Sequence, residues 1–328
     1  YSQAYCYLKS KDYLNAIDAF KKTSRYTLES NKLYDVYVRV GDSYFSLMNY
    51  EAAVNYYNKG LSVSGFEDAY AHYKKSTAYV LLGDYDSAIK SFKYLIANFS
   101  NSNYLVNAVF DLGNVYILSK NLDLAISQFS KIITSFQTSL FYPESQLKLG
   151  LVYYMQQKDE KAIEILKNVI FEFPNSNISE QSLNIVKNIY TEIGEAGKFI
   201  ELIQNIDHDY TTSELDSSMY SSAELQYLQE NYQNSIISFK NYLSYYPKGL
   251  FYLEANYFLY KSYENIGDLE NAITSLSKII NDSENKYTVP GLLSLGGMSY
   301  KLKKYISSEM YFSKLLELGS EMELKKEA

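Results

Sequence analysis

The chain has 328 residues, 47% hydrophobic and 16% aromatic, with 37 Tyr, 4 Pro, one Cys and no Trp. That apolar content excludes a disordered chain, and the length suffices for one large domain or two ordinary ones. With 31 Lys plus Arg against 38 Asp plus Glu, the net charge is −7. No basic run could follow a phosphate backbone, so no nucleic acid partner is expected.

Apolar periodicity places a helix pair at the start, with Ala4 and Tyr7 on the first helix and Ala16, Ile17 and Phe20 on the second. The set returns as Gly41, Tyr44, Ala53, Val54 and Tyr57, and again as Ser76, Tyr79, Ala88, Ile89 and Phe92. A fourth pair carries Gly113, Tyr116, Ala125, Ile126 and Phe129, and a fifth Gly150, Tyr153, Ala162, Ile163 and Leu166. The sixth is the least regular: Tyr190, Ile200 and Ile203 are in place, but Phe199 occupies the small-residue position. The polar stretch Asp207 to Ser213 follows it and is expected to be an irregular connection. Ala223, Gln226, Ser235, Ile236 and Phe239 make the seventh set, and Tyr263, Ala272, Ile273 and Leu276 the eighth. Gly296, Ser299, Ser308, Glu309 and Phe312 make the ninth. The polar segment Glu321 to Ala328 suits the wetted end of a stack.

The ladder Ala16, Ala53, Ala88, Ala125, Ala162, Phe199, Ser235, Ala272 and Ser308 steps by 37, 35, 37, 37, 37, 36, 37 and 36 residues. Between the Tyr position and the ladder lie turn signals such as Gly83-Asp84, Asn121-Leu122-Asp123 and Gly267-Asp268. Each unit therefore reads as a helical hairpin, with helix A carrying the Tyr and helix B the ladder residue. The small residue twelve before the ladder is expected to face a Tyr and let the helices approach closely. One hairpin cannot bury its own apolar face, so the units must stack.

A small-x-x-Tyr in helix A with Ala-Ile-x-x-x-Phe in helix B resembles the tetratricopeptide repeat, and the resemblance extends over nearly the whole chain. It implies an all-α fold, a right-handed superhelix of about nine hairpins forming one solenoid over 1–328. A subdivision into 1–206 and 214–328 about the sixth repeat is the alternative. The units run longer than the family's common length, and the Pro that closes helix B survives only as Pro174 and Pro247. Phe-Pro-Asn-Ser and Tyr-Pro-Lys-Gly after helix B resemble the repeats of bacterial envelope proteins, such as outer-membrane-assembly lipoproteins and TolA-binding periplasmic proteins. The resemblance thus implies a periplasmic or outer-membrane-associated location in preference to the cytoplasm.

No apolar stretch approaches the length of a membrane span; Val115 to Leu118 and Tyr257 to Tyr260 are soon interrupted. Tyr1 stands where an initiator Met would, so a processed chain is expected, with membrane association through a missing N-terminal lipid anchor or a partner. No catalytic residue, cofactor site or metal site is expected. His72 and His208 lie in different repeats without ligand spacing, and Cys6 reads as a buried inert thiol. The carboxylates read as solvated on polar helix faces.

In the family resembled, helix A residues line the inner face, fifteen, eleven, eight and seven before the ladder in this register. That gives Tyr73, Thr77, Val80 and Leu81 in the third repeat, and Phe110, Asn114, Ile117 and Leu118 in the fourth. The fifth gives Leu147, Leu151, Tyr154 and Met155. Later repeats are more polar there, with Tyr220, Glu224, Tyr227 and Leu228, then Tyr257, Lys261, Glu264 and Asn265. The Lys and Asn positions with which some members clamp a C-terminal carboxylate hold Val38, Asp42, Tyr73 and Thr77, against such a clamp. The expected role is a non-enzymatic scaffold that takes a peptide, helix or partner domain in the concave groove. The alternatives are the non-catalytic solenoid of a longer enzyme and a cytoplasmic peptide-binding regulator.

Overall fold

A computed structural model describes residues 1–27, 29–63, 68–206, 211–282 and 285–327, and among these there are 18 helices and no strand. The chain forms two compact units, Tyr1–Ser182 and Leu183–Ala328, dividing within α11 (Asn177–Glu192).

The first unit comprises five hairpins. They are α1 (Ser2–Lys9) with α2 (Tyr13–Tyr26), and α3 (Ser30–Ser46) with α4 (Tyr50–Leu61). Next come α5 (Ala69–Leu81) with α6 (Tyr85–Asn98), and α7 (Leu105–Leu118) with α8 (Leu122–Ser135). The fifth is α9 (Tyr142–Met155) with α10 (Asp159–Glu172), and each helix packs on the next in the chain. The second unit continues through α12 (Ala196–Gln204), α13 (Thr212–Leu228), α14 (Tyr232–Tyr245) and α15 (Tyr252–Asn265). It ends with α16 (Leu269–Asp282), α17 (Thr288–Lys301) and α18 (Tyr305–Glu327).

Every ladder residue is buried, from Ala16, Ala53, Ala88, Ala125 and Ala162 to Phe199, Ser235, Ala272 and Ser308. The small helix A residue meets a different partner from the Tyr expected: it receives the large side chain four residues beyond the ladder. A Cβ on Gly41 would lie 2.7 Å from the Tyr57 ring, on Gly113 2.7 Å from Phe129, and on Gly150 2.6 Å from Leu166. In the second unit, a Cβ on Gly296 would come within 2.6 Å of Phe312. Helix B thus seats a large side chain directly on helix A backbone, a burial worth about 1.5–3 kcal/mol for each Leu- or Phe-sized side chain.

The turn inside each hairpin is the same nine times. The residue five before the ladder is left-handed: Lys11, Met48, Gly83, Lys120, Gln157, Gly194, Glu230, Gly267 and Lys303, with φ from 58° to 80°. The N–H of the next residue returns to the carbonyl of the residue nine before the ladder, as in Asn121 to Tyr116 (2.8 Å), Glu195 to Tyr190 (2.8 Å) and Asp268 to Tyr263 (2.9 Å). This six-to-one bond ends helix A in a Schellman closure. The same residue starts helix B, where the side chains of Asp12, Asn49, Asp84 and Asp268 each accept a backbone N–H three residues on. The constant distance from Tyr column to ladder is therefore a backbone requirement.

Part of the irregular sixth connection, 207–210 with His208, lies outside the described residues. From Thr211 the chain is regular again, opening α13 with a capping box between Thr211 and Glu214.

Candidate functional site

Helix A positions in the first unit divide sharply by register. Fifteen before the ladder, the fourth and fifth repeats turn the side chain inward. Phe110 is 5% exposed, with its ring 5.7 Å from Phe129 and 4.8 Å from Phe141, and Leu147 is 4% exposed. These two expected groove residues are core, Phe110 because it packs against the Phe129 ring held by helix B and the Phe141 ring that follows it. Tyr73, in the same register, is half-buried, donating to Asp111 Oδ2 at 2.7 Å and stacking on Tyr104 at 5.3 Å. Thr77, Asn114 and Leu151 are half-buried, as are Val80, Ile117 and Tyr154 one turn on. Seven before the ladder the side chain stands in solvent: Leu81 is 50% exposed, Leu118 53% and Met155 47%. These form a row of large apolar side chains, one at the same register on each of α5, α7 and α9.

Toward the start of the unit, the A helices are joined by a tyrosine–carboxylate network that sequence reasoning missed. Asp35 accepts from Tyr1 and Tyr5 hydroxyls at 2.6 Å each and from Arg39 Nε at 3.2 Å. Asp42 accepts from Arg39 Nη1 at 2.6 Å and from Tyr57 and Tyr70 hydroxyls at 2.9 Å each. One arginine and two aspartates thus tie α1, α3 and α5 together. Burial, reinforced by the carboxylates, pushes the Tyr57 and Tyr70 phenols far above their usual range. Asp111 is also raised, by burial working against its bond from Tyr73. The sequence clue was Asp35, Arg39 and Asp42 at helical spacing beside buried Val36, Val38 and Val40.

In the second unit the A helices carry aromatic stacks. Tyr220, itself buried, lies on Phe251 at 4.4 Å and 13°, and Tyr257 on Tyr287 at 4.3 Å and 18°. Ion pairs flank them, Lys286 with Glu254 at 2.6 Å and Lys261 with Glu264 at 2.9 Å. Glu224 accepts from Tyr220, Tyr227 is half-buried and Leu228 is exposed. Asp216 is a second exception to solvated carboxylates: it is 4% exposed and accepts from Tyr242 Oη at 2.6 Å and Leu250 N at 2.8 Å.

The expected buried thiol is overturned, for Cys6 is exposed on α1, on the side turned away from buried Ala4. His72 is buried, and burial followed by the Lys75 charge lowers its pKa to about 4. Among the described residues, no group of three His, Cys, Asp or Glu could hold a metal ion. No helix among them is long and apolar enough to cross a membrane.

Family models described as tetratricopeptide repeat match residues 39–103, 82–139 and 144–176. No curated protein matches the sequence. Among solved structures, a tetratricopeptide repeat protein from Parabacteroides merdae is similar with a TM-score of 0.51 at 17% identity, over 80% of this chain and 96% of that one. The C-terminal part of a repeat-containing protein from Cytophaga hutchinsonii is similar over 89% of this chain and 98% of its own, at 17% identity and a TM-score of 0.49. YrrB, described as having an unusual peptide-binding site, is similar over 55% of this chain and 88% of its own, at 21% identity and a TM-score of 0.46.

Proposed function

Because the chain is a tetratricopeptide repeat protein, we propose that it serves as a non-enzymatic scaffold holding a peptide, helix or partner domain along the A helices of its first unit. The observation that carries this is the row Leu81, Leu118 and Met155, three exposed apolar side chains in one register on consecutive A helices. Tyr73, Val80, Asn114, Ile117, Leu151 and Tyr154 form its half-buried floor, while Phe110 and Leu147 support that floor from the core. A surface with an apolar residue at each repeat suits a ligand with apolar anchors at regular spacing, such as an amphipathic helix or an extended peptide.

The Tyr73–Asp111 hydrogen bond supports this reading, since it ties α5 to α7, two of the helices that carry the row, and so helps preorganise the surface. The net charge of −7 argues for protein in preference to nucleic acid. The Phe173-Pro174-Asn175-Ser176 corner is the feature that favours a bacterial envelope location. Fractionation that finds the protein in the cytoplasm would remove that part of the proposal.

The scaffold is tested by crosslinking the protein in its native cells and comparing wild type with Leu81→Glu/Leu118→Glu/Met155→Glu. All three positions are exposed, so the helical circular dichroism should be retained. The crosslinked partner should be lost. Equal capture by a folded variant would overturn the assignment of the surface.

A further inference from the structure

On a face of α5 turned away from that row, a cleft of about 380 Å³ opens against α6, lined by His72, Lys75, Ser87, Lys90 and Ser91 with Tyr79 at its side. Two of its groups are in an unusual state. His72 and Ser91 are each 8% exposed, yet among the described residues His72 Nδ1 and Ser91 Oγ have no hydrogen-bond partner. A buried polar atom left unsatisfied forfeits its hydration without compensation, and most such atoms find a partner. His72 is held in place by ring contacts to Tyr94 at 4.7 Å and Phe99 at 5.4 Å, so the imidazole is fixed while its nitrogen stays unmatched.

Lys75 and Lys90 bring two cations to the same cleft. Lys75 is half-buried, and burial alone depresses its ammonium, with no carboxylate acting against that shift. Neither lysine is in an ion pair among the described residues. In a chain of net charge −7 this brings two cations to one cleft with the Ser91 hydroxyl and an unmatched imidazole nitrogen, while Asp84 at the rim engages the Ser87 hydroxyl and faces Lys90.

We propose that the cleft binds a compact oxyanion, a phosphoryl or carboxylate group, held by Lys75 and Lys90 with hydrogen bonds from Ser91 and His72. Charge-assisted bonds from two ammonium groups are the strong contacts for such an anion, and a hydrogen bond to either orphaned atom would add to them. With its proton on Nδ1, neutral His72 donates. The site does not depend on the apolar row, because the two surfaces use different faces of α5.

The chain has only two histidines, so the His72 ring resonance is a direct probe, assigned through His72→Gln. The full chain is titrated separately with inorganic phosphate and with acetate, against chloride at matched ionic strength. The expected result is a saturable shift of the His72 signal with at least one oxyanion and none with chloride. Saturation by phosphate alone assigns a phosphoryl ligand, by acetate alone a carboxylate, and by both the shared chemistry. Lys75→Gln/Lys90→Gln should weaken binding at least tenfold. Lys90→Gln alone, at an exposed position that does not threaten the fold, should weaken it several-fold. Absence of saturation, an equal shift with chloride, or unchanged affinity in folded Lys90→Gln would overturn the proposal.

Discussion

Gly113→Ala tests whether contact with helix B, not helix propensity, decides residue choice at the small-residue position. Gly113 lies within the 14-residue helix α7, where Ala in place of Gly would ordinarily stabilise by about 0.5–1 kcal/mol. Its Cβ, however, would come 2.7 Å from Phe129 Cζ and 2.8 Å from Cε1, and Phe129 is fully buried with no space into which to swing. Relieving that overlap means moving a ring or parting two helices, an overpacking cost of about 1–3 kcal/mol. The cost exceeds the propensity gain, so a net loss of about 1–2 kcal/mol is expected. Gly297 is the matched control: it lies within the 14-residue helix α17, and nothing lies within 4 Å of its added Cβ. Gly297→Ala should therefore stabilise by about 0.5–1 kcal/mol. Urea unfolding followed at 222 nm compares both with wild type, fitted for more than two states because repeat arrays unfold in parts. If Gly113→Ala proves as stable as Gly297→Ala, close packing is not what selects glycine there.

At the hairpin turns, Lys120→Gly and Gln157→Gly should each raise stability by about 0.5–1 kcal/mol, since a left-handed non-glycine costs about 1–2 kcal/mol, partly offset by the extra freedom of glycine when unfolded. Thermal melts check this, and no gain at either site would refute left-handed strain. His72 predicts a pH dependence. Its folded pKa of about 4 lies below the ordinary 6.5, so the unfolded chain takes up the proton first. Its contribution is complete above pH 7, falls as pH drops from 6.5 to 4, and amounts to at most about 3 kcal/mol. His72→Gln should flatten that part of the profile, and a His72 titration near 6.5 would refute its burial.

The repeat was legible because its marks are backbone requirements. Ala125 is fully buried, and the Schellman bond from Asn121 to Tyr116 holds the Tyr at a constant distance from it. The left-handed position escaped notice since Lys, Met, Gln or Glu fills it in six of nine turns. Such residues are tolerated there because the flanking helices hold the turn, and they leave no compositional trace. The surface was only half legible. Register alone separated exposed Leu118 from the interior of the helix, but sequence spacing could not reveal that Phe110 is taken up by Phe129 and Phe141. Asp42 was misread for a related reason: its partners Tyr57 and Tyr70 are 15 and 28 residues away, on other helices.

The hairpin turn has a mechanical consequence. A single residue between the helices, Asp84 or Asn121 for example, both terminates one helix through its N–H and initiates the next through its carbonyl. Nothing in that joint can stretch without breaking both, so each hairpin transmits force as a stiff lever. Between hairpins of the first unit the two roles fall on different residues, as at Phe99, whose N–H closes α6, and Tyr104, whose carbonyl opens α7. A load on one A helix of that unit is therefore handed to its own helix B by a shared residue, and to the next hairpin only through the residues between.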